Sequence, residues 1–138
     1  MKKYKLDPFY VVPAYTFFYW GFTLPKRFYE DFINFFDLNN GLQNTPIKLK
    51  INNKKYDAKI RLVKQDNKWS KREVVQIYYD TEYDTLKALR KLLIFSYAAT
   101  IDKAKPKLKE IIELVHTSDN NFTVKPISRQ ETDFDAML

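Results

Sequence analysis

The middle of the chain contains the sequence IKLKINNKKYDAKIRL at residues 47–62. Apolar side chains fall at every second position on both sides of the pair Asn52-Asn53, with mostly charged residues between them. Alternation with a period of two is typical of a β-strand that has one buried face. Asparagine tolerates the positive φ that a two-residue turn requires. The stretch therefore predicts a β-hairpin with one apolar face and one basic face.

The positive charge of the chain is concentrated around this hairpin. The chain has 24 basic and 17 acidic residues, which gives a formal charge of +7. Residues 48–72 hold ten of the basic residues and two of the acidic ones, so the remainder is close to neutral. A localised positive field predicts a polyanion bound to one face of the domain. The alternative is a lysine-rich surface that contacts only solvent.

Upstream of the hairpin, the sequence predicts two short strands and a helix. The strands are expected at residues 8–12 and 22–24, where apolar residues are grouped. Pro25 suits the first position of a helix, because its fixed φ is helical and its missing N–H is not needed there. Helical spacing then gives one apolar face, made of Phe28, Phe32, Phe35 and Phe36. We expect residues 39–41, Asn-Asn-Gly, to end this helix.

Downstream of the hairpin, we expect a polar connection at residues 64–72 and a strand at residues 74–79. Thr81 and Asp84 resemble a capping box, which predicts a helix that runs to about Thr100.

The last third of the chain predicts another helix and a strand. Pro106 is expected to open the helix, with an inward face of Leu108, Ile111, Ile112 and Val115. His116 would lie near its C-terminus and interact with the helix dipole. A short last strand is expected at residues 122–125.

The order of the predicted elements is β-β-α-β-β-β-α-α-β. Strands and helices do not alternate strictly, which argues against a doubly wound parallel sheet. We predict an α+β fold with a mostly antiparallel, curled sheet and capping helices. Residues 1–127 are expected to form a single domain, and residues 128–138 a tail or a linker toward a further C-terminal domain.

The composition argues against most classes of enzyme. The chain has no cysteine, one histidine and two glycines, which excludes thiolate zinc sites and disfavours catalytic triads and phosphate loops. It has no apolar run of transmembrane length and no secretory signal, which fits a cytoplasmic protein.

One catalytic alternative remains open from the sequence. A magnesium nuclease centre would use Asp37, Asp57 and Lys59, but Asp-x-Lys arises often by chance in a lysine-rich chain. We expect no catalytic residue, no metal and no cofactor in this domain.

Two segments contain candidate binding residues. Residues 64–72 combine basic groups with Gln65, Asn67 and Arg72, which are suitable types for contacts to base edges, and with Trp69. Residues 15–20 are mostly aromatic, and a strand cannot turn all of them inward. Either some are exposed, with Thr16 and Tyr19 available for binding, or the segment packs on the body of the domain.

The sequence resembles a known family in one region. Gly21-Phe22-Thr23-Leu24-Pro25-Lys26, followed by an aromatic helix, resembles the short strand, Leu/Ile-Pro-Lys/Arg step and helix of B3-like DNA-binding domains. These are the pseudobarrel domains of plant transcription factors and of restriction-enzyme modules such as the EcoRII N-terminal domain. The later strands and the basic segment follow in the family's order, so the resemblance covers roughly residues 7–100. The extra elements after Lys105 are most similar to bacterial restriction members, in particular the N-terminal domains of LlaJI-type, McrB-like subunits.

The resemblance implies a wrench-like grip on duplex DNA, with two arms in the major groove. Residues 15–20 correspond to the first arm, although they are more aromatic than is usual in the family, and residues 64–72 correspond to the second. The candidate base-reading residues implied by the family are Thr16, Tyr19, Gln65, Asn67, Ser70 and Arg72. The implied phosphate contacts are Lys64, Lys68 and Lys71.

We therefore expect site-specific binding of double-stranded DNA, without catalysis, as the recognition module of a restriction system. A C-terminal GTPase or nuclease domain or subunit would be a further partner, and no membrane is expected. Two alternatives stay open. One is single-strand or modified-base binding, in which Trp20, Trp69 and tyrosines stack on bases. The other is an acidic protein partner.

Overall fold

The structure is a computed structural model that describes residues 5–39, 44–66, 71–103, 105 and 108–130. It contains seven strands and three α-helices within these ranges. The strands are β1 (Phe9–Val11), β2 (Gly21–Thr23), β3 (Thr45–Ile51), β4 (Lys54–Asp66), β5 (Lys71–Tyr78), β6 (Leu108–Ser118) and β7 (Asn121–Gln130). The helices are α1 (Tyr29–Phe36), α2 (Tyr83–Leu92) and α3 (Ile94–Asp102), and there are short 3₁₀ turns at Tyr15–Phe18 and Lys26–Phe28.

All seven strands belong to one curled sheet in the order β1-β6-β7-β3-β4-β5-β2. Every described pairing is antiparallel except that of β3 with β7. The fold is α+β, with a mostly antiparallel, curled sheet, as the sequence predicts. Strand directions place α1 at one end of the curl, and α2, α3 and the Tyr15–Phe18 turn at the other end.

The β3–β4 hairpin forms as predicted. Asn52 and Asn53 adopt φ values of 50° and 66°, which is the left-handed pair that a type I′ turn needs. This turn pairs Ile51 with Lys54 and Ile47 with Ala58. The alternating apolar side chains of β3 then face the core, where they are almost completely buried.

The inner face of the sheet encloses a core rich in aromatic side chains. Phe32 of α1 packs edge-on against Phe9 of β1 and stacks on Phe122 of β7, with ring centroids 5.9 and 6.1 Å apart. Aromatic pairs at this separation add to the stabilisation from burial. The predicted phenylalanine face is thus confirmed as core, but α1 ends at Phe36. Asp37 adopts a left-handed conformation there, earlier than the predicted end at residues 39–41, of which 40 and 41 lie outside the described residues.

The described residues of the predicted polar connection at 64–72, which are residues 64–66 and 71–72, belong to β-strands. β4 continues to Asp66, and β5 begins at Lys71, with Gln65 paired to Arg72 and Asp66 paired to Lys71. β3 pairs with β4 only as far as Ile60, and β2 pairs with β5 only as far as Gln76. In the described part of the chain, the end of the β4–β5 hairpin is therefore a two-stranded ribbon that projects from the sheet.

The predicted capping box at Thr81 and Asp84 is wrong. The N-cap residue of α2 is Glu82, and its side chain makes no capping hydrogen bond. The chain turns just before the helix, where the Glu82 N–H donates to the Tyr79 carbonyl, so the helix begins one position later than a Thr81 cap would require. The expected single helix to Thr100 is also divided, because the buried Leu93 leaves the helical conformation between α2 and α3.

The predicted third helix after Pro106 is wrong, because this segment is strand β6. Leu108, Ile111, Ile112 and Val115 match a helical period, yet the buried side chains of the strand follow a period of two. They are Glu110, Ile112, Leu114 and His116. Two of these four are polar, which conceals the alternation in the sequence. The Glu110 carboxylate is satisfied by the backbone N–H of Ser96 in α3, at 2.5 Å.

His116 is consequently not a helix C-terminal residue. It is buried in β6 beside Phe35 and Phe122, with ring centroids 4.7 and 5.0 Å away. The Leu6 N–H donates to its Nδ1 at 2.9 Å, so its Nε2 carries the hydrogen and donates to the Asp119 carbonyl at 2.7 Å. Both ring nitrogens are therefore satisfied, and the residue joins the N-terminal segment to the β6–β7 turn.

The last strand is longer than predicted. β7 runs from Asn121 to Gln130 and pairs with β6 along its length. It continues three residues into the segment expected to be a tail, and residues 131–138 lie outside the described residues.

Gly21 is required where β2 meets β5. Its φ is +155°, and a Cβ added there would lie 2.2 Å from the Ile77 carbonyl oxygen and 2.6 Å from the Tyr78 Cα.

We predict that Gly21→Ala lowers the free energy of unfolding by at least about 1–3 kcal/mol, because backbone strain and a steric clash both destabilise the variant. Urea denaturation measures this loss. Thr23→Ala, an exposed change on the same strand, is the control, and equal losses in the two variants would contradict the role of Gly21.

Candidate functional site

The sheet has a basic outer face, which we define as the face turned away from the core. On β3 and β4 this face presents five cationic side chains and one carboxylate, that of Asp57. Asp57 forms an ion pair with Lys48 on the neighbouring strand. The cations are Lys48, Lys50, Lys55, Lys59 and Arg61. The alternation of the hairpin thus separates charge from core, as the sequence predicts.

A cluster of aromatic and polar side chains surrounds Arg61 on the outer face. The Arg61 guanidinium lies 4.3 Å from the ring centroid of Tyr78 and 5.5 Å from that of Trp20. Its Nε donates to the Gln76 side-chain oxygen at 3.2 Å. Stacking of this kind and the hydrogen bond hold the planar guanidinium in one orientation. We call Trp20, Arg61, Gln76 and Tyr78 the Arg61 cluster.

Tyr78 is buried although it belongs to the outer face. The Trp20 ring lies nearly parallel to it, with centroids 6.3 Å apart, and its hydroxyl donates to the Asn44 side chain. Burial raises the pKa of Tyr78 above its ordinary value, although Arg61 opposes the shift. The phenol therefore keeps its proton, and Tyr78 serves as a neutral platform for Arg61.

The segment at residues 15–20 packs on the domain as a 3₁₀ turn. Phe17 and Phe18 are fully buried, whereas Thr16 is exposed. Tyr15, which is 62% exposed, stacks on Tyr19 at a centroid distance of 4.6 Å. The sequence allowed two interpretations, an exposed arm or a segment packed on the domain. The structure combines them, because Phe17 and Phe18 are buried while Tyr15 and Thr16 are exposed.

Two side chains from other elements hold this turn in place. The Tyr79 hydroxyl donates to the Phe17 carbonyl at 2.6 Å, and Arg90 Nε of α2 donates to the Phe18 carbonyl at 2.9 Å. The Arg90 guanidinium also lies 4.7 Å from the Tyr19 ring centroid. Burial raises the pKa of Tyr79 well above its usual range, so its phenol stays a donor. Desolvation, followed by the neighbouring Tyr97, raises the pKa of Tyr19.

The described part of the β4–β5 ribbon holds two predicted site residues with exposed side chains, Lys64 and Arg72. Lys64 Nζ lies 3.9 Å from Glu73 Oε1 across the ribbon. For Gln65 and Lys71, only the backbone pairing is described. The other predicted residues of this segment lie outside the described residues: Asn67, Lys68, Trp69 and Ser70.

The structure places the two candidate segments at opposite ends of β5. Gly21, which follows the Tyr15–Phe18 turn closely, pairs with Tyr78, and Arg72 lies six residues earlier on the same strand. Six residues of strand span about 20 Å. The Arg61 cluster lies near the turn, and the ribbon projects at the far end.

Sequence reasoning did not select the Arg61 cluster. Arg61 contributed only to the count of basic residues. The alternation of Val75 and Ile77 with Gln76 and Tyr78 is the signal that would have placed Gln76 and Tyr78 together on the outer face. The contact with Trp20 had no signal in the sequence, because Trp20 reaches the cluster only through the pairing of β2 with β5.

The two carboxylates of the nuclease alternative have different structural positions. Asp57 is paired with Lys48, and Asp37 lies at the C-terminus of α1. In the ranges that the structure describes, no three histidine or carboxylate side chains come together as potential metal ligands. In those ranges, moreover, no helix has the length and apolar content required to cross a bilayer.

No protein-family model, curated protein or solved structure matches this chain. Its function is therefore inferred from the residues of the site.

Arg90 is expected to fix the position of the aromatic turn. We predict that Arg90→Ala lowers the free energy of unfolding by about 1.5–3 kcal/mol, because a hydrogen bond from a charged donor is lost. Amide hydrogen exchange should become faster at residues 15–20. Lys91→Ala, at the exposed neighbouring position of α2, should leave both quantities nearly unchanged. Equal protection of the turn in the two variants would show that Arg90 does not hold it.

Proposed function

We propose that this domain binds double-stranded DNA with the outer face of β3, β4 and β5. The observation that carries the proposal is the division of the hairpin into an apolar inner face and an outer face with five cations and one carboxylate. Cationic side chains that neutralise phosphates supply most of the sequence-independent affinity for DNA. The body of the domain contributes little net charge, so this face sets the orientation of a bound polyanion.

The shape of the β4–β5 ribbon supports a duplex rather than a compact anion as the ligand. The major groove of B-DNA admits a two-stranded β-ribbon, and each base pair presents a distinct pattern of donors and acceptors there. Arg72 is exposed on this ribbon, and its guanidinium suits the paired acceptors of guanine. Lys64 lies on the other side of the ribbon from Arg72, opposite Glu73, where it would contact the phosphate backbone that flanks the ribbon. In this proposal, Gln65, Asn67, Ser70 and Arg72 read bases, and Lys64, Lys68 and Lys71 contact phosphates.

The aromatic turn forms the second side of the proposed grip. Thr16 is exposed and Tyr19 is half-buried, and the turn lies about 20 Å along β5 from Arg72. The Arg61 cluster lies between the two segments, with its guanidinium held in one orientation. Two contact regions on either side of a basic surface agree with the wrench-like grip that the B3-like resemblance implies.

The same resemblance leads us to propose the biological context. The domain would serve as a B3-like recognition module of a restriction system in the cytoplasm. A C-terminal GTPase or nuclease domain or subunit would supply the catalytic activity that this domain is not expected to have.

A second candidate function is the binding of single strands or of a modified base. The observation in its favour is the aromatic surface at the turn, where Tyr15 is 62% exposed and stacks on the half-buried Tyr19. Base–aromatic stacking contributes about 1–3 kcal/mol per base and tolerates any sequence. Binding to single strands would be tighter than to duplex, with a shallower dependence on salt.

The first test is fluorescence anisotropy with a labelled random duplex and with the matching single strand, across a range of salt concentrations. We predict tighter binding to the duplex and a steep decrease in affinity with salt. Tighter binding to the single strand would favour stacking, and no binding to either at low salt would contradict both candidate functions.

A preferred sequence selected from a random library then separates the two kinds of contact. Arg72→Ala should weaken binding to the preferred site by about 1–3 kcal/mol and relax its sequence preference. Lys64→Ala should weaken all duplexes alike and lower the salt slope by about one. Lys105→Ala, an exposed lysine after α3, is the charge-matched control. An equal loss on preferred and random duplex for Arg72→Ala would remove its assignment as a base-reading residue.

A further inference from the structure

A second basic feature lies on the outer face, away from the β4–β5 ribbon. It is a cleft of about 230 Å³ between β3, β4 and the β6–β7 turn. Three lysines and four hydroxyl or amide side chains line it, together with Phe122, and none of its lining residues in the described part of the chain is a carboxylate. The polar lining residues are Lys48, Lys50, Lys55, Thr117, Ser118, Asn121 and Thr123. We call this feature the lysine cleft.

The pairing of the strands places two like charges directly opposite each other in the lysine cleft. Lys50 of β3 pairs with Lys55 of β4, and both are exposed. Like charges at directly opposed positions of a sheet destabilise it. Lys48 is compensated by Asp57, whereas neither Lys50 nor Lys55 forms an ion pair with any residue that the structure describes. The fold therefore retains a repulsion that a bound anion would relieve.

Two of the polar side chains beside the lysines are held in place by hydrogen bonds within the β6–β7 turn. Thr117 Oγ1 donates to the Asn121 carbonyl at 3.1 Å, and Asn121 Nδ2 donates to the Ser118 carbonyl at 3.3 Å. Thr123 lies beside Lys50 across the parallel pairing of β3 and β7. Hydroxyl and ammonium groups that line the same cleft provide hydrogen-bond donors and positive charge together. This combination suits a phosphate group, which has several acceptor oxygens and a negative charge.

We propose that the lysine cleft binds a phosphate group, and that in the complex with DNA this group belongs to the duplex backbone. The second half of the proposal rests on the proposed function, whereas the first half does not. Lys55 lies ten residues from Gln65 on β4, which is about 33 Å along an extended strand. One turn of B-DNA has a length of about 34 Å. A duplex held at the ribbon and lying along β4 would thus bring its backbone to the lysine cleft about one turn away.

The first experiment uses inorganic phosphate and no DNA. At constant ionic strength, exchange of chloride for phosphate should raise the melting temperature by about 4 °C when phosphate is tenfold above its Kd. Lys50→Glu places a carboxylate opposite Lys55. It should raise the melting temperature in chloride, because repulsion becomes attraction, and it should abolish the response to phosphate. Lys105→Glu makes the same change of charge outside the cleft and should respond to phosphate like the wild type.

One outcome of this experiment supports the phosphate site, and two outcomes would overturn it. A stabilised Lys50→Glu protein that has lost its phosphate response supports the site, because a merely unfolded or weakened variant would not be more stable. An unchanged phosphate response in Lys50→Glu, or an equal loss in Lys105→Glu, would overturn the site, since phosphate would then act elsewhere or only through net charge.

The second experiment tests whether the phosphate comes from DNA. Two duplexes share the preferred sequence, one of about 10 base pairs around the site and one extended by about one turn on each side. Lys50→Glu should lower the salt slope for the long duplex by about one and leave the short duplex unaffected. Equal behaviour on both lengths would overturn the duplex assignment. If the wild type binds no duplex but keeps its phosphate response, the proposed function fails while the anion site stands.

Discussion

The left-handed backbone at Asn52 and Asn53 is the constraint on which the architecture depends. These two residues set the register of β3 against β4, pairing Ile51 with Lys54. Because strand side chains alternate between faces, a shift of one residue would move Lys48 and Lys50 into the core and expose the isoleucines. The apolar interior, the basic outer face and the position of each lysine therefore follow from one turn. The alternative register is unfavourable because burial of the charged lysine side chains would cost free energy.

The outer surface also depends on how the edge strand β2 is seated. Gly21 allows the backbone of β2 to approach Tyr78 closely, and this approach carries Trp20 to the ring of Tyr78. Arg61 then lies against both rings. Phe17 and Phe18 bury the preceding turn in the core, so the same short segment contributes to stability at one end and to the surface at the other. Core packing thus fixes the geometry of the Arg61 cluster on the outer face.

The parts of the fold that the sequence predicts are those in which local periodicity and burial agree. The β3–β4 hairpin and the phenylalanine face that continues along α1 belong to this group, because the apolar residues of each pattern are buried in the core or packed against it. β6 was misassigned because Glu110 and His116 occupy inward positions. The Glu110 carboxylate and His116 Nδ1 accept hydrogen bonds from the Ser96 and Leu6 backbone N–H groups, which are distant in sequence. No local pattern reveals such partners.

The candidate site also has features that local sequence predicts and features that depend on tertiary pairing. The concentration of basic residues in one hairpin was evident from the sequence, and alternation assigned Lys59 and Arg61 to its outer face. The Arg61 cluster was not predictable, since Trp20 and Tyr78 meet only through tertiary pairing. The opposition of Lys50 and Lys55 is intermediate. It follows from the two-residue turn once the register is known, but nothing in the composition marks it as unusual.

The parallel pairing of β3 with β7 has a consequence for how the chain folds. It joins two antiparallel groups, β1-β6-β7 and β3-β4-β5-β2, through three residue pairs. Each group contains hairpins that form locally and fast, whereas the seam connects Lys48 with Asn121, on the far side of β4, β5 and two helices. We expect closure of this seam to be late and slow. During synthesis, β3 then stays an open edge until β7 has emerged, and charged edge strands resist association with other chains. Lys48 and Lys50 would protect the nascent domain at the stage when its sheet is incomplete.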